Sequence, residues 1–318
     1  MRNHRKRFGC SVFLLTAVIL AFIFKSGSAS GIGRLLKTAA SGSGASGPTI
    51  TLAQDPSVSI PNLHSPCAIL VRLNDRSVLM QKQSEKKIYP ASLTKMMTVI
   101  VAIENLPDLQ QKIELSPSLF QPLYRADASM AGFQPGEKVR AIDLLYGAML
   151  PSGAECCIGL ADEISGSEQE FAEKMNQKAK ELGMSRTHFS NSTGLQDENH
   201  YTTVKDLSAL LGYALQNQTF RDIFTSSRHS TAPTNKHPDG VTFQSTLFQN
   251  LEDQAIPGGE ILGGKTGYTE EAGLCLASLA RKNGQEYTLV TASAKGDHKS
   301  EQYDIDDARE VYRALGQN

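Results

Sequence analysis

Strand-like segments lie near both ends of the folded part of this chain, with helical ones between them. No other feature limits the possible folds so strongly. Residues 67–73 and 77–81, separated by Asn74-Asp75, alternate or run apolar and read as a β-hairpin. Residues 274–280 and 286–292 read as strands near the other end. Between them, apolar residues recur at helical spacing over 91–105, where Met96, Met97, Ile100 and Val101 share a face and Pro90 stands at the entry. Further helices are expected over 141–150, 153–164, 168–182, with a Ser167/Glu170 capping box, and 204–216, and a last helix ends at Leu315. Strands drawn from both termini with helices between them predict an α/β domain: one antiparallel sheet and a helical middle. No internal repeat is visible.

The domain does not begin at residue 1. The first 30 residues carry Arg2, Arg5, Lys6, Arg7 and Lys25 and no acid, followed by an apolar run over 8–24 and the small residues Ser28, Ala29 and Ser30. That order is expected of an export signal. As a helix the run would span about 26 Å, just under the roughly 30 Å of a bilayer core, so both a cleaved signal and an N-terminal membrane anchor fit. The basic flank places the remainder of the chain outside the cytoplasmic membrane. Residues 31–62 are rich in Gly, Ser and Thr and read as a flexible linker, which leaves 63–318 as the folded domain. Of 32 Lys plus Arg and 33 Asp plus Glu, five cations fall in the leader, so the rest carries 27 against 33 and is a poor nucleic-acid partner. Cys10 lies in the leader, Cys156 and Cys157 are adjacent, and Cys67 and Cys275 sit in apolar runs, so buried free thiols are expected rather than a disulfide framework. None of the seven histidines pairs at His-x-His or i, i+4 spacing, and no metal is expected.

The chemistry concentrates at residues 90–98, Pro-Ala-Ser-Leu-Thr-Lys-Met-Met-Thr. Positions three apart on a helix share a face, which brings the Ser92 hydroxyl to the Lys95 amine. Serine needs an adjacent base, and lysine serves as one only if burial or a second cation lowers its pKa. Lys265, in Gly263-Gly-Lys-Thr-Gly267, is the candidate second cation, and Ser152, in Pro151-Ser-Gly-Ala154, offers another hydroxyl at a loop-to-helix junction. Ser-x-x-Lys alone is common; its ordered combination with Lys-Thr-Gly is far more specific.

With Thr187-His-Phe-x-Asn191-x-x-Gly194-Leu195, His200-Tyr-Thr-Thr203-x-x-Asp206 and Tyr268-Thr269 followed by Ala272-Gly273, the chain resembles the penicillin-binding D-alanyl-D-alanine carboxypeptidases over nearly all of 63–318. These serine peptidases share their catalytic design with class A β-lactamases. The resemblance implies a β-lactamase/transpeptidase-like fold: a five-stranded sheet flanked by helices, an all-helical lobe, and a cleft between them. It implies Ser92 as acylated nucleophile, Lys95 as its proton acceptor and Ser152 as a proton relay. Lys265, Thr266, Gly267 and Tyr268 would bind substrate, with the N–H groups of Ser92 and Tyr268 as the oxyanion hole. No cofactor is implied; the partners would be peptidoglycan stem peptides and, as covalent inhibitors, β-lactams. Two rivals stand beside this reading. A β-lactamase would need a deacylating base, and no Glu-x-x-x-Asn loop is recognisable. A weak penicillin-binding receptor is motivated by Ala154, which stands where the family's Ser-x-Asn motif has its amide, while Glu155 is expected to point elsewhere. The segments 187–195 and 200–206 are expected to brace a loop and cap the following helix.

Overall fold

A seven-stranded sheet joins the two ends of the domain, as the order of elements predicts. The computed structural model describes residues 51–52, 62–251 and 253–316. Its strands are β1 (Thr51–Leu52), β2 (Cys67–Arg72), β3 (Ser77–Lys82), the small hairpins β4 (Lys112–Glu114) with β5 (Lys138–Arg140) and β6 (Arg228–Ser230) with β7 (Thr242–Gln244), then β8 (Ala255–Ile256), β9 (Gly259–Thr269), β10 (Gly273–Lys282) and β11 (Gln285–Ala294). The main sheet runs β1-β3-β2-β11-β10-β9-β8. Its central seam pairs Ile69 with Val290, joining the first hairpin to the last strand. The β10–β11 turn is the dipeptide Asn283-Gly284, both at positive φ, which suits the twist of a tight hairpin. The resemblance implied five strands, and the extra two are edge additions of two residues each. One of them, Thr51–Leu52, falls within the segment read as linker and pairs in parallel with Ser77–Val78, satisfying edge groups that β3 would otherwise expose.

Alternation along the strands sorts the core into two layers. Ile69, Val71, Cys275, Ala277 and Val290 face the helical side, while Ala68, Leu70, Leu276, Ala280 and Leu289 face the last helix, α9 (Tyr303–Ala314), through Ile305, Val311 and Tyr312. The helical side comprises α1 (Lys95–Asn105), α2 (Phe120–Arg125), α3 (Ala141–Met149), α4 (Ala154–Ser165), α5 (Glu168–Glu181), α6 (Val204–Ala214) and α7 (Gln218–Phe224), while α8 (Thr246–Asn250) adds Leu247 to the layer of α9. Helix α5 starts where the capping pattern placed it, with Glu170 N donating to Ser167 Oγ at 3.2 Å. The helix expected from residue 91 instead opens with a 3-10 turn, Ala91–Thr94, because Ala91 sits at φ +47° and cannot continue a right-handed helix. Cys67, Cys156, Cys157 and Cys275 are buried free thiols. Cys10 and the leader over 1–30 lie outside the described residues. No helix among the described residues is long and apolar enough to cross a membrane.

Candidate active site

Two serine–lysine pairs meet where the 3-10 turn packs on β9. Ser92, in that turn, is half-buried, and Lys95 at the first position of α1 is buried with it. Lys95 Nζ donates to Ser92 Oγ at 2.8 Å and to the carbonyl of Thr193 at 2.6 Å. The second pair is assembled across the fold. Lys265, in β9 and wholly buried, donates to Ser152 Oγ at 3.0 Å and to the Thr266 carbonyl at 2.8 Å. Ser152 holds φ +68° immediately before α4, a strained conformation of the kind kept where side-chain direction matters. Thr266 Oγ1 is hydrogen-bonded to Thr246 Oγ1 at 2.6 Å, which ties α8 to β9 beside the lysine.

Two glycines lie close against the turn that carries Ser92, and at the first of them a side chain is excluded. A Cβ on Gly194, which stands at φ +83°, would lie 1.9 Å from the Ala91 carbonyl oxygen. A Cβ on Gly267 would sit 3.1 Å from the Ser92 nitrogen, so its absence keeps β9 alongside the Ser92 N–H. Of the sequence-predicted set, Ser92 is thus bonded to Lys95 and Ser152 to Lys265, and β9 carries Thr266 and Gly267 on from Lys265 to the Ser92 turn. Tyr268 follows in β9, with His298 edge-on at 4.8 Å between ring centroids.

Burial is the largest cause of the lowered pKa of Lys95; the carboxylates of Glu155 and Glu168 and the nearby thiols pull the other way. Burial likewise depresses Lys265, and there the charge of Lys95 adds to the effect. Sequence reasoning offered burial or a second cation as the means of lowering Lys95, and of the two it is burial that acts on it. Both amines are therefore poised to give up a proton more readily than a free lysine.

The segment 187–195 supplies the floor beneath Lys95. Asn191 Oδ1 accepts from the N–H groups of Thr193 at 3.2 Å and Gly194 at 2.7 Å, fixing the turn that presents the Thr193 carbonyl to Lys95. Helix α1 is stitched to this floor again by Thr98 Oγ1, which donates to the Ser192 carbonyl at 2.6 Å. The third stitch is His200. Its Nδ1 accepts from Ser190 N at 3.0 Å, so Nε2 carries the proton and donates to Thr94 Oγ1 at 2.7 Å. Burial pushes this imidazole down to about 4, so it stays neutral. Bracing and capping are the roles seen: Thr203 Oγ1 accepts from Asp206 N, and Asp206 accepts from Arg186 N and Thr187 Oγ1.

Ala154 is buried and offers Lys95 no polar atom. Glu155 is hydrogen-bonded to neither lysine among the described residues, and its Oε1 accepts from Ala131 N at 2.8 Å, Gly132 N at 2.9 Å and Phe133 N at 3.3 Å. Sequence reasoning missed the Thr193 carbonyl, the Thr246 hydroxyl and this carboxylate-centred turn. A backbone acceptor leaves no signature in residue type, and the other two depend on long-range placement.

Comparison with known proteins bears on the same residues. The model of the D-alanyl-D-alanine carboxypeptidase family, peptidase S11, matches residues 54–296. The chain belongs to this family. The carboxypeptidase DacF of Bacillus subtilis is 34% identical over 242 residues, covering 71% of this chain and 57% of that protein. DacC of Escherichia coli is 30% identical over 254 residues, covering 77% of this chain and 60% of that one. The chain thus spans under two thirds of the length of these relatives. Among solved structures, the Streptomyces K15 DD-transpeptidase superposes with TM-score 0.71 at 26% identity, covering 81% of this chain and 98% of that one. The peptidase S11 assignment accounts for the antiparallel sheet with its flanking helices.

Proposed function

We propose that this S11 family member is a serine-type D-alanyl-D-alanine carboxypeptidase that removes the terminal D-alanine from peptidoglycan stem pentapeptides and is acylated by β-lactams. The observation that carries the reading is the buried Lys95 amine 2.8 Å from Ser92 Oγ. Neutral Lys95 takes the Ser92 proton as Oγ attacks the carbonyl carbon of the penultimate D-alanine. The oxyanion is stabilised by the N–H groups of Ser92 and Tyr268. The C–N bond then breaks, and the proton passes through the Ser152 hydroxyl to the leaving amine, releasing D-alanine. Water attacks the Ser92 ester, gives a proton back through Lys95 and releases the shortened peptide. Lys265 as ammonium, with the Thr266 hydroxyl, holds the substrate's terminal carboxylate, while Gly267 and Tyr268 flank the substrate backbone.

Residues 63–318 form the catalytic domain in this reading, on a linker over 31–62. Residues 1–30 direct it across the cytoplasmic membrane, as a cleaved signal or a retained anchor, so that it works on the wall side. Support comes from the basic, apolar and small-residue order of that leader.

The deciding experiment incubates the purified protein with a pentapeptide ending in D-Ala-D-Ala and measures free D-alanine, beside intact-mass detection of a penicillin adduct. Release of D-alanine with a one-to-one adduct is expected. An adduct without D-alanine release would favour a penicillin-binding receptor, and rapid turnover of penicillin a β-lactamase.

A further inference from the structure

A cavity of about 550 Å³ lies between one face of α6 and the turns that join β2 to β3 and β10 to β11. None of the catalytic residues lines it. Two residues one turn apart on α6 do, and each is a poor local choice. Ser208 is 4% exposed and its Oγ has no hydrogen-bond partner. Such a buried hydroxyl is destabilising unless something pairs with it. Gly212 adopts helical geometry, for which glycine is among the weakest residues. No neighbouring atom lies within 4 Å of where its Cβ would stand. Packing therefore does not call for glycine there, and the effect of having it is open space. Departures from good local sequence that converge on one cavity mark a functional site more often than a structural one.

The lining indicates what would fill the space. Val71 and Leu215 give apolar walls, and Asn74, Gln216 and Gln285 place side-chain amides at the rim. Arg221 is neutralised by Glu286 at 3.0 Å. Arg76, exposed at the mouth, has no carboxylate partner among the described residues. The volume falls in the range of small-molecule sites.

We propose that this cavity binds a short N-acylated peptide ending in a free carboxylate. Arg76 pairs with the carboxylate, and small aliphatic side chains lie on Val71 and Leu215 in the space left open at Gly212. The rim amides take the remaining peptide groups.

The test is calorimetric titration of the full chain, treated with benzylpenicillin to occupy the reacting serine, with N-acetyl-D-alanyl-D-alanine and with its C-terminal amide. The acid is expected to bind at least 10-fold more tightly than the amide. Gly212→Leu, which fills the cavity and favours the helix, should weaken binding at least 10-fold, and Arg76→Gln about 5-fold, with neither changing the rate of penicillin acylation. Because binding is read as the part that depends on Gly212 and Arg76, the result stands whether or not penicillin occupies Ser92. No binding by the wild-type chain, equal binding of acid and amide, or unchanged binding in Gly212→Leu would overturn the proposal. If Gly212→Leu fails to fold, the exposed Arg76→Gln decides alone: unchanged affinity for the acid overturns it and a 5-fold loss upholds it.

Discussion

Ser92 with Lys95 and Ser152 with Lys265 are alike in chemistry and unlike in construction. Each joins a hydroxyl at a loop-to-helix junction to a buried amine, and each junction holds a non-glycine residue at positive φ, Ala91 in one and Ser152 in the other. The first pair is local, three residues apart at the entry to α1; the second spans 113 positions and exists only once β9 has joined the sheet. Their electrostatics differ as well. Carboxylates partly offset the desolvation of Lys95, whereas at Lys265 the charge of Lys95 reinforces it. In the proposed mechanism the local pair activates the attacking hydroxyl, while the long-range pair both relays a proton through Ser152 and meets the substrate carboxylate through Lys265.

Separating the two serines is the largest expected effect. Ser92→Ala should abolish covalent penicillin labelling and D-alanine release, since the proposed mechanism acylates the Ser92 hydroxyl. Ser152→Ala should still be labelled, with acylation slowed about 10²- to 10⁴-fold, the usual contribution of a proton-transfer group. Intact mass and stopped-flow acylation rates read both, and labelling of Ser92→Ala would end the distinction. Lys95→Arg should lose a similar 10²- to 10⁴-fold, because a guanidinium stays protonated and cannot serve as base.

Changing the substrate rather than the protein isolates the second pair. A peptide whose terminal carboxylate is replaced by an amide should lose about 10- to 100-fold in kcat/KM, the range for one hydrogen bond to a charged group. The same substitution should make little difference in a Lys265→Met variant. An equal penalty in both proteins would mean that another group receives the carboxylate.

This contrast also explains what could be read from the chain. The i, i+3 spacing of Ser92 and Lys95 is a helical fact, and the apolar runs over 67–73 and 274–280 read as strands of one sheet from the sequence alone. Lys265 and Ser152 are joined by no periodicity, and only the resemblance to a known family placed them together. The Thr193 carbonyl and the His200–Thr94 bond were illegible for a further reason: they depend on backbone direction and tautomer, which follow from the turn at Asn191 and the Ser190 N–H. The early strand β1 and the short hairpins escaped notice because two or three residues carry too little pattern to register.

Stability should distinguish the lysines by pH. An amine whose pKa is lower in the folded chain leaves the unfolded chain holding more protons between the two values, so stability rises with pH there. The cost is full below the folded value and gone above roughly 10.4, the ordinary lysine value. Lys265→Met should therefore raise the melting temperature, with a gain of about 1–4 kcal/mol, typical when a buried charge gives way to an apolar side chain of similar volume. That gain should shrink as the pH is raised from the folded value of Lys265 toward the ordinary lysine value, and a gain independent of pH would show that packing, not charge, is responsible.

Ala154→Asn is the smallest change and bears on the local pair alone. Lys95 as ammonium has three donors and uses two, on Ser92 Oγ and the Thr193 carbonyl. An amide oxygen at position 154 could accept from the third, and its NH₂ could reach a substrate carbonyl. A hydrogen bond to a substrate is worth about 1 kcal/mol net, or roughly 5-fold in kcat/KM. The same oxygen would also favour the charged form of Lys95, so the acid limb of the pH–rate profile should move upward even as the plateau rises. The burial of Ala154 opposes both effects, because three extra heavy atoms must fit where the helix start is already closed by Ala154 N donating to the Ser129 carbonyl at 2.8 Å. A folded Asn variant with a higher plateau and an upward-shifted acid limb would show that the missing amide limits the proposed reaction. An unchanged profile would show that the Thr193 carbonyl already holds Lys95 well enough without it.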